Sequence, residues 1–352
     1  MDTTADPDIT FDEDGVCNYC HEYDPPKYSE ENYHKVLETI RKRGRNSLYD
    51  AVLGISGGCD SSYLAYLAKK EGLRVLLTVF DNGYDTETAA ENRRKVIDYT
   101  NWDYSPWVMA QSEFDALHLA YLRAGVVDIE VPSDHAITAS LYRTAVKYHV
   151  KTMLSGSNYV TESIMPPSWS YRKNDLPNLK DIYRQFGDDT PLSQFPTMSL
   201  VKLLRYRFLN GVKRVSLLNY VEYGKEEAKS LLKDEMGWTD YGHKHGENIF
   251  TRFYQNYILP TRFGVDKRRP HLSNLILGGQ ITREDALNTL KIRAQEYGEV
   301  ESDRRIVLKR LGLSNVEFNR LMSQPIRSHR EFASDEWLYN LLRFANRCIK
   351  TL

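Results

Sequence analysis

The residues best suited to chemistry form one run, Ser56-Gly57-Gly58-Cys59-Asp60-Ser61-Ser62, set between the apolar segment 51–55 and the helical run 63–68. That order reads as a strand, a tight turn and a helix N-terminus. Two adjacent glycines let the backbone approach an anion closely. The unpaired N–H groups of a helix start point at it, and the hydroxyls of Ser56, Ser61 and Ser62 add donors. Such a cradle suits a pyrophosphate. It lacks the Gly-Lys-Ser/Thr ending of a Walker loop. Cys59 takes a position of no evident chemical demand and reads as packing.

A second turn of similar composition, Ser155-Gly156-Ser157-Asn158-Tyr159-Val160-Thr161-Glu162-Ser163, follows the strand-like segment 151–154. Strand carboxyl ends of an open parallel sheet face its ligand crevice. Gly156, Asn158 and Glu162 are therefore expected to share one site with the first loop. A third constellation runs over 242–255 and continues at 266–271. Its basic and amide groups alternate with aromatics, which reads as a polar site with apolar walls. Lys244 and Arg252 are candidates for stabilising charge during catalysis. Thr161, His245, Glu247, Gln255, Lys267 and Arg268 are candidates for holding a phosphate or an acidic sugar. The plainer alternative for the charged run 267–269 is a solvated helix face. His243 and His245 are too closely spaced, with no thiol or carboxylate motif beside them, to make a convincing zinc pair.

These groups need a frame, and the pattern supplies one. Segment 74–80 reads as a second parallel strand, 87–99 as a helix, 104–109 as strand-like, and 112–124 and 134–148 as helices before the strand at 151–154. Alternating strands and helices imply an α/β fold, a parallel sheet covered on both faces. Three parts are expected: 1–48, a small segment holding Cys17 and Cys20 and then a helix; 49–190, the nucleotide-binding part; 191–352, a mainly helical region for substrate or assembly. At 352 residues, 41% hydrophobic and 27% charged, the composition is that of a soluble globular protein. The net charge of −1 gives no global drive toward nucleic acid, leaving room only for a local basic patch. No apolar stretch reaches membrane-spanning length, so no membrane insertion is expected. The acidic start lacks a secretory signal, and the cytoplasm follows as the expected location. Four cysteines argue against a disulfide framework.

The string S-G-G-x-D-S resembles the PP-loop of the ATP pyrophosphatases, whose fold is a Rossmann-like sheet of the adenine-nucleotide α-hydrolase type. Taken with the acidic run 2–12, Gly15-Val16-Cys17-Asn18-Tyr19-Cys20, the turn 155–163 and Lys244-His245-Gly246-Glu247, the chain resembles the N-acetyl sugar amidotransferases of lipopolysaccharide O-antigen and flagellin-glycan biosynthesis. The resemblance covers most of the chain, with little in its last sixty or so residues. It implies ATP and Mg²⁺, with Asp60 and Glu162 as the magnesium candidates. Val79 and Phe80 would read the adenine edge through their backbone, with Asn82 beside the adenosine. An acetamido group of a nucleotide-linked sugar would become an acetamidino group, with AMP and pyrophosphate released. Ammonia would come from a separate glutaminase and channel protein like those of histidine biosynthesis. Family members commonly carry a further Cys-x-x-Cys upstream of the position of Met1, completing a four-thiolate zinc site. Here Cys17 and Cys20 would be the two ligands of a structural zinc, with His21 or a distant histidine as helper. Other readings stay open: a tRNA-thiolating PP-loop enzyme, an ammonia-dependent ligase with another acceptor, or a non-catalytic adenine-nucleotide binder. A homo-oligomer is left open as well.

Overall fold

The computed structural model describes residues 1–25, 27–242, 246–296 and 299–351. Its centre is a five-stranded parallel sheet. The strands are β1 Ala51–Gly54, β2 Val75–Asp81, β3 Tyr104–Val108, β4 Thr152–Leu154 and β5 Lys213–Val215, in the spatial order β3-β2-β1-β4-β5. The three central strands are apolar at consecutive positions because both faces are covered, and neighbours in sequence serve opposite faces. Leu53 lies in register with Leu77 and Leu154, and these share one core with Leu37, Ile40, Leu64 and Leu232. Val52 lies in register with Leu76 and Met153, and these share another with Ala139, Tyr142 and Ala145. Helices Glu30–Gly44, Cys59–Lys70 and Lys225–Met236 thus cover one face, and Val131–Lys147 covers the other.

The chain moves outward from β1 through β2 to β3, then returns to place β4 on the other side of β1. That reversal opens a crevice at the carboxyl ends of β1 and β4, where ligands of open α/β sheets bind. The sheet extends past residue 190, the expected end of the nucleotide-binding part. β5 escaped the pattern because it is three residues long, two of them charged, on a sheet edge where no alternation shows.

A further core is helical. Helices Gln111–Ala124, Leu176–Phe186, Ile249–Phe253, Val300–Arg310 and Asn315–Met322 close around Phe114, Tyr121, Phe253, Tyr254 and Phe318, all at most 1% exposed. The amino-terminal segment rests against this part: Ile9, Cys17 and Tyr19 pack with Ile164, and Arg269 pairs with Asp2 at 2.6 Å.

Candidate active site

The turn after β1 depends on Gly57, whose φ of +87° is one L side chains rarely adopt. A Cβ there would lie 2.3 Å from the carbonyl oxygen of Ala89. The Gly57 carbonyl is held by the Trp238 indole N–H at 3.0 Å and the Asn92 amide at 3.3 Å. The N–H groups that follow are met by hydroxyls: Gly58 donates to Ser56 Oγ (3.2 Å) and Cys59 to Tyr241 OH (3.3 Å). Ser56 and Ser61 stand together, their Oγ atoms 3.3 Å apart. Ser62 does not join them. It is fully buried, and both its hydroxyl (2.8 Å) and its N–H (3.1 Å) donate to the Gly58 carbonyl. Cys59 is buried, and burial, with Asp60 beside it, pushes its thiol up to about 12, which keeps it protonated. Asp60 accepts a hydrogen bond from the Tyr223 hydroxyl. Burial and the nearby Asp60 carboxylate hold that phenol well above its ordinary range, so it remains a donor.

The turn after β4 lies directly on this loop. A Cβ on Gly156 would be 3.3 Å from the Ser61 nitrogen, a tight contact that would push the two turns apart by a few tenths of an ångström. Arg214, on β5, donates to Ser155 Oγ and Ser157 Oγ, both at 2.6 Å. Asn158 caps the short helix Tyr159–Glu162 through Oδ1, which accepts from the Thr161 N–H at 2.9 Å. Its Nδ2 is buried with no acceptor among the described residues. A buried amide donor without a partner costs on the order of 1–3 kcal/mol, and a ligand oxygen would relieve it.

On the other side of β1, Val79 and Phe80 form the end of β2, in register with Pro106 and Trp107. The Asn82 side chain is used within the protein: Oδ1 accepts from the Tyr84 N–H (3.0 Å) and the Asn248 amide (3.2 Å). Glu247 lies here too, with Oε1 3.6 Å from where a Gly58 Cβ would be, and its carbonyl accepts the Thr86 N–H at 3.0 Å. It sits against the phosphate loop and does not line the neighbouring cleft.

That cleft, about 650 Å³, is lined by Thr161, Glu162, Gln255, Lys267 and Arg268, five residues the sequence had proposed from two distant segments. Gln255 donates to Glu130 at 3.2 Å, and Lys267 lies 3.7 Å from the same carboxylate. Lysines that spacing alone could not place join the wall, Lys173, Lys225 and Lys229, and acids stand among them, Asp134, Glu226 and Asp240, the last two pairing with Lys229 at 2.9 and 3.0 Å. Although burial works against its charge, Lys173 is held above the ordinary lysine range by Asp128 at 2.6 Å and Asp134 at 3.1 Å. Tyr241 borders the cleft and also meets the Cys59 N–H, which links cleft and loop through one side chain. Lys225 and Lys229 sit on a helix whose sequence reads as a solvated face. Tyr241 follows an irregular stretch, and neither carries a signal in the sequence.

Arg252 is not at the reacting centre. Its Nε and Nη2 reach Asp303 at 2.7 and 2.6 Å, and the pair is buried between helices Ile249–Phe253 and Val300–Arg310. A guanidinium whose fork is filled in this way serves packing, and its partner stands fifty-one residues away, beyond any local pattern. Arg268 lines the cleft, but its fork is engaged by Asp266, at 2.9 Å from Nε and 2.7 Å from Nη2. Lys244, His243 and His245 lie outside the described residues. Cys17 and Cys20 bring their sulfurs to 3.4 Å, but His21, the expected helper, is bound to Asp12 at 2.6 Å. Among the described residues no cluster of three metal-ligating side chains forms, so the thiol pair does not fit a zinc site there.

A parallel sheet with this reversal, carrying S-G-G-x-D-S at the carboxyl end of β1, is a Rossmann-like fold with a PP-loop. Residues 247–345 match the family model described as the C-terminal domain of LPS biosynthesis protein WbpG-like proteins. Among solved structures, an NH3-dependent NAD synthetase from Campylobacter jejuni is similar at 18% identity over 59% of this chain and 93% of that one, with a TM-score of 0.31. An NMN synthetase from Francisella tularensis is similar at 15% identity over 74% and 97%, with a TM-score of 0.33. A predicted tRNA methyltransferase subunit from Methanocaldococcus jannaschii follows at 12% over 51% and 74%, with a TM-score of 0.30. Scores this low carry no argument about chemistry. No curated protein matches the chain.

Proposed function

We propose that this protein is an ATP-dependent amidotransferase that converts the acetamido group of an activated, nucleotide-linked N-acetyl sugar to an acetamidino group. The observation that carries this reading is the junction of the PP-loop with a lysine-rich cleft, walled in part by the WbpG-like region: a nucleotide cradle opens beside a site suited to an anionic acceptor. An acetamide carbonyl is a poor electrophile. In the proposed reaction its oxygen attacks the α-phosphorus of ATP, the α–β phosphoanhydride bond breaks, and pyrophosphate leaves. Ammonia then adds to the imidate carbon and AMP departs, leaving the amidine.

Within this scheme Ser56, Ser61 and the loop N–H groups hold the departing pyrophosphate, where charge develops. The Asn158 Nδ2, buried without an acceptor among the described residues, supplies a donor on the facing turn. Lys225, which enters no ion pair among the described residues, and Lys267, 3.7 Å from Glu130, hold the negative charge of the sugar's carrier or carboxylate, while Lys173 and Lys229 are each paired with two carboxylates. Asp60 and Glu162 offer the hard oxygen ligands that Mg²⁺ takes, and Mg²⁺ would supply neutralisation of phosphate charge. No cysteine with a partner base suited to glutamine hydrolysis is present among the described side chains, Cys59 being buried and protonated. In the proposed scheme a partner glutaminase supplies the ammonia. The test is incubation with ATP, Mg²⁺ and ammonium across a panel of nucleotide-linked acetamido sugars. AMP, pyrophosphate and a sugar product of slightly lower mass and higher basicity are expected. ADP formation, or turnover with glutamine by the purified chain alone, contradicts the reading.

A further inference from the structure

We propose that the amino-terminal end of the sheet, opposite the PP-loop, is a docking face for the surface of an anionic lipid bilayer. Between residues 190 and 221 the chain carries Lys202, Arg205, Arg207, Lys213 and Arg214 and no acidic residue, in a protein whose net charge is −1. The structure gathers four of the five at one protrusion, while Arg214 turns to Ser155 and Ser157 in the turn after β4. Helix Leu200–Leu204 runs into a wider turn, Arg205–Leu209, which ends just before β5. At its tip Phe208 is 76% and Leu209 80% exposed, with Val201 69% exposed behind them. Lys202, Arg205, Arg207 and Lys213 enter no ion pair among the described residues.

The location follows from the hydrogen bonds of Arg43. Its guanidinium reaches the carbonyls of Lys151 and Gly211, at 2.6 and 2.5 Å, one residue before β4 and two before β5. The protrusion therefore sits where the strands begin. Lys147 and Lys151 are exposed at this same end, and Leu48 is 70% exposed in the turn leading to β1. Of the acids there, Asp50 is paired with the Arg74 guanidinium, and Asp103, which accepts the Tyr49 hydroxyl and keeps its charge, is outnumbered by the lysines and arginines. Positive charge is thus in excess around an exposed aromatic and aliphatic tip.

That combination distinguishes the partner. A phosphate backbone is recognised by charge, and a base of a single strand could stack on Phe208, but the exposed Leu209 and Val201 add nothing to either contact. A membrane interface uses both, anionic headgroups attracting the lysines and arginines while the apolar side chains enter the headgroup boundary. Such a surface lies on the bilayer and does not cross it; among the described residues no helix is long and apolar enough to span one. Docked by this end, the PP-loop and its cleft, at the strand carboxyl ends, face water. The inference stands independently of the reaction proposed above.

The test is sedimentation of the full chain with vesicles of phosphatidylglycerol and phosphatidylcholine, against vesicles of phosphatidylcholine alone. Binding to the anionic vesicles only, weakened by added salt, is expected. Arg205→Ser with Arg207→Ser should lower the partition coefficient about tenfold or more. Phe208→Ser with Leu209→Ser should lower it several-fold, while circular dichroism and Tm stay unchanged because both side chains are exposed. Equal binding to neutral vesicles overturns the proposal. So does wild-type binding by the Phe208/Leu209 variant, or displacement from the vesicles by a single-stranded RNA that binds both variants alike.

Discussion

The loop after β1 takes its polar atoms from seven consecutive residues, Ser56 to Ser62, whereas the cleft beside it draws Thr161 from the turn after β4, Lys173 from an irregular stretch, Lys225 from a helix beside the sheet, and Gln255 and Lys267 from the helical part. Under the proposed reaction the difference follows from what each would bind. A phosphate chain is met by backbone N–H groups, which any helix start presents once glycines permit the turn. A substituted sugar has functional groups in many directions, and one chain segment cannot surround it. Loop residues therefore tolerate almost no change, while cleft residues share their task.

The largest effect is expected in the loop. Gly57→Ala places a methyl group 2.3 Å from the Ala89 carbonyl oxygen at a strained φ, so turnover should vanish and helix Glu87–Thr100 should shift. Ser61→Ala or Asp60→Asn should cost about a hundredfold or more in kcat while thermal unfolding barely changes. Wild-type turnover by Ser61→Ala would break the assignment of the loop.

Arg252 should behave as the reverse case. Removing it by Arg252→Met leaves Asp303 charged and buried, which should cost about 3–5 kcal/mol of stability in urea titrations. The double variant Arg252→Met with Asp303→Leu should recover much of that loss. A catalytic arginine would show loss of kcat at unchanged stability and no such rescue.

His135 gives a smaller effect and a pH signature. Its Nε2 accepts the Met198 N–H at 3.0 Å, so Nδ1 carries the proton that meets the Lys173 carbonyl at 2.8 Å, behind the cleft wall. Burial holds this histidine at about 4, below the ordinary value of 6.5. The unfolded chain therefore takes up the proton first as pH falls. The stability that the neutral ring contributes is complete above pH 6.5 and is lost as pH drops toward 4. About 2 kcal/mol of the loss between pH 7.5 and pH 5 belongs to His135, beside similar shares from His118 and His329, which burial also holds at about 4, so His135→Gln should reduce the slope by about a third.

Lys267→Met should have the smallest effect of the set. With Lys173, Lys225 and Lys229 still lining the cleft, KM for the sugar should rise about tenfold while KM for ATP stays within twofold. An equal rise in both would merge the two regions and remove the comparison drawn here.

How much of the site could be read from the sequence follows the same division. The loop, the turn after β4 and the central strands were legible because each is written in neighbouring residues: a glycine pair between an apolar run and a helix, or an unbroken apolar stretch covered on both faces. Thr161, Glu162, Gln255, Lys267 and Arg268 were legible as types, and they do meet in one cleft. Arg252 was misread because a charged residue beside aromatics looks the same whether it faces a ligand or a buried aspartate fifty-one positions away. Ser62 was misread because a hydroxyl at a helix start can turn inward to the loop's own carbonyl.

The sequence by itself therefore determined the S-G-G-x-D-S loop, the parallel α/β frame and the residue types that meet at the candidate site, since these depend on local backbone geometry and on period. Only the tertiary structure decided which basic residues face the cleft and which are spent in ion pairs. It brought Tyr241 and Tyr223 onto the loop, set β5 as a charged edge strand, turned Arg214 to the turn after β4, and left Arg205 and Arg207 at the end of the sheet away from the site. Those outcomes rest on partners far apart in the chain, and long-range pairing leaves no periodic trace in either partner's own segment.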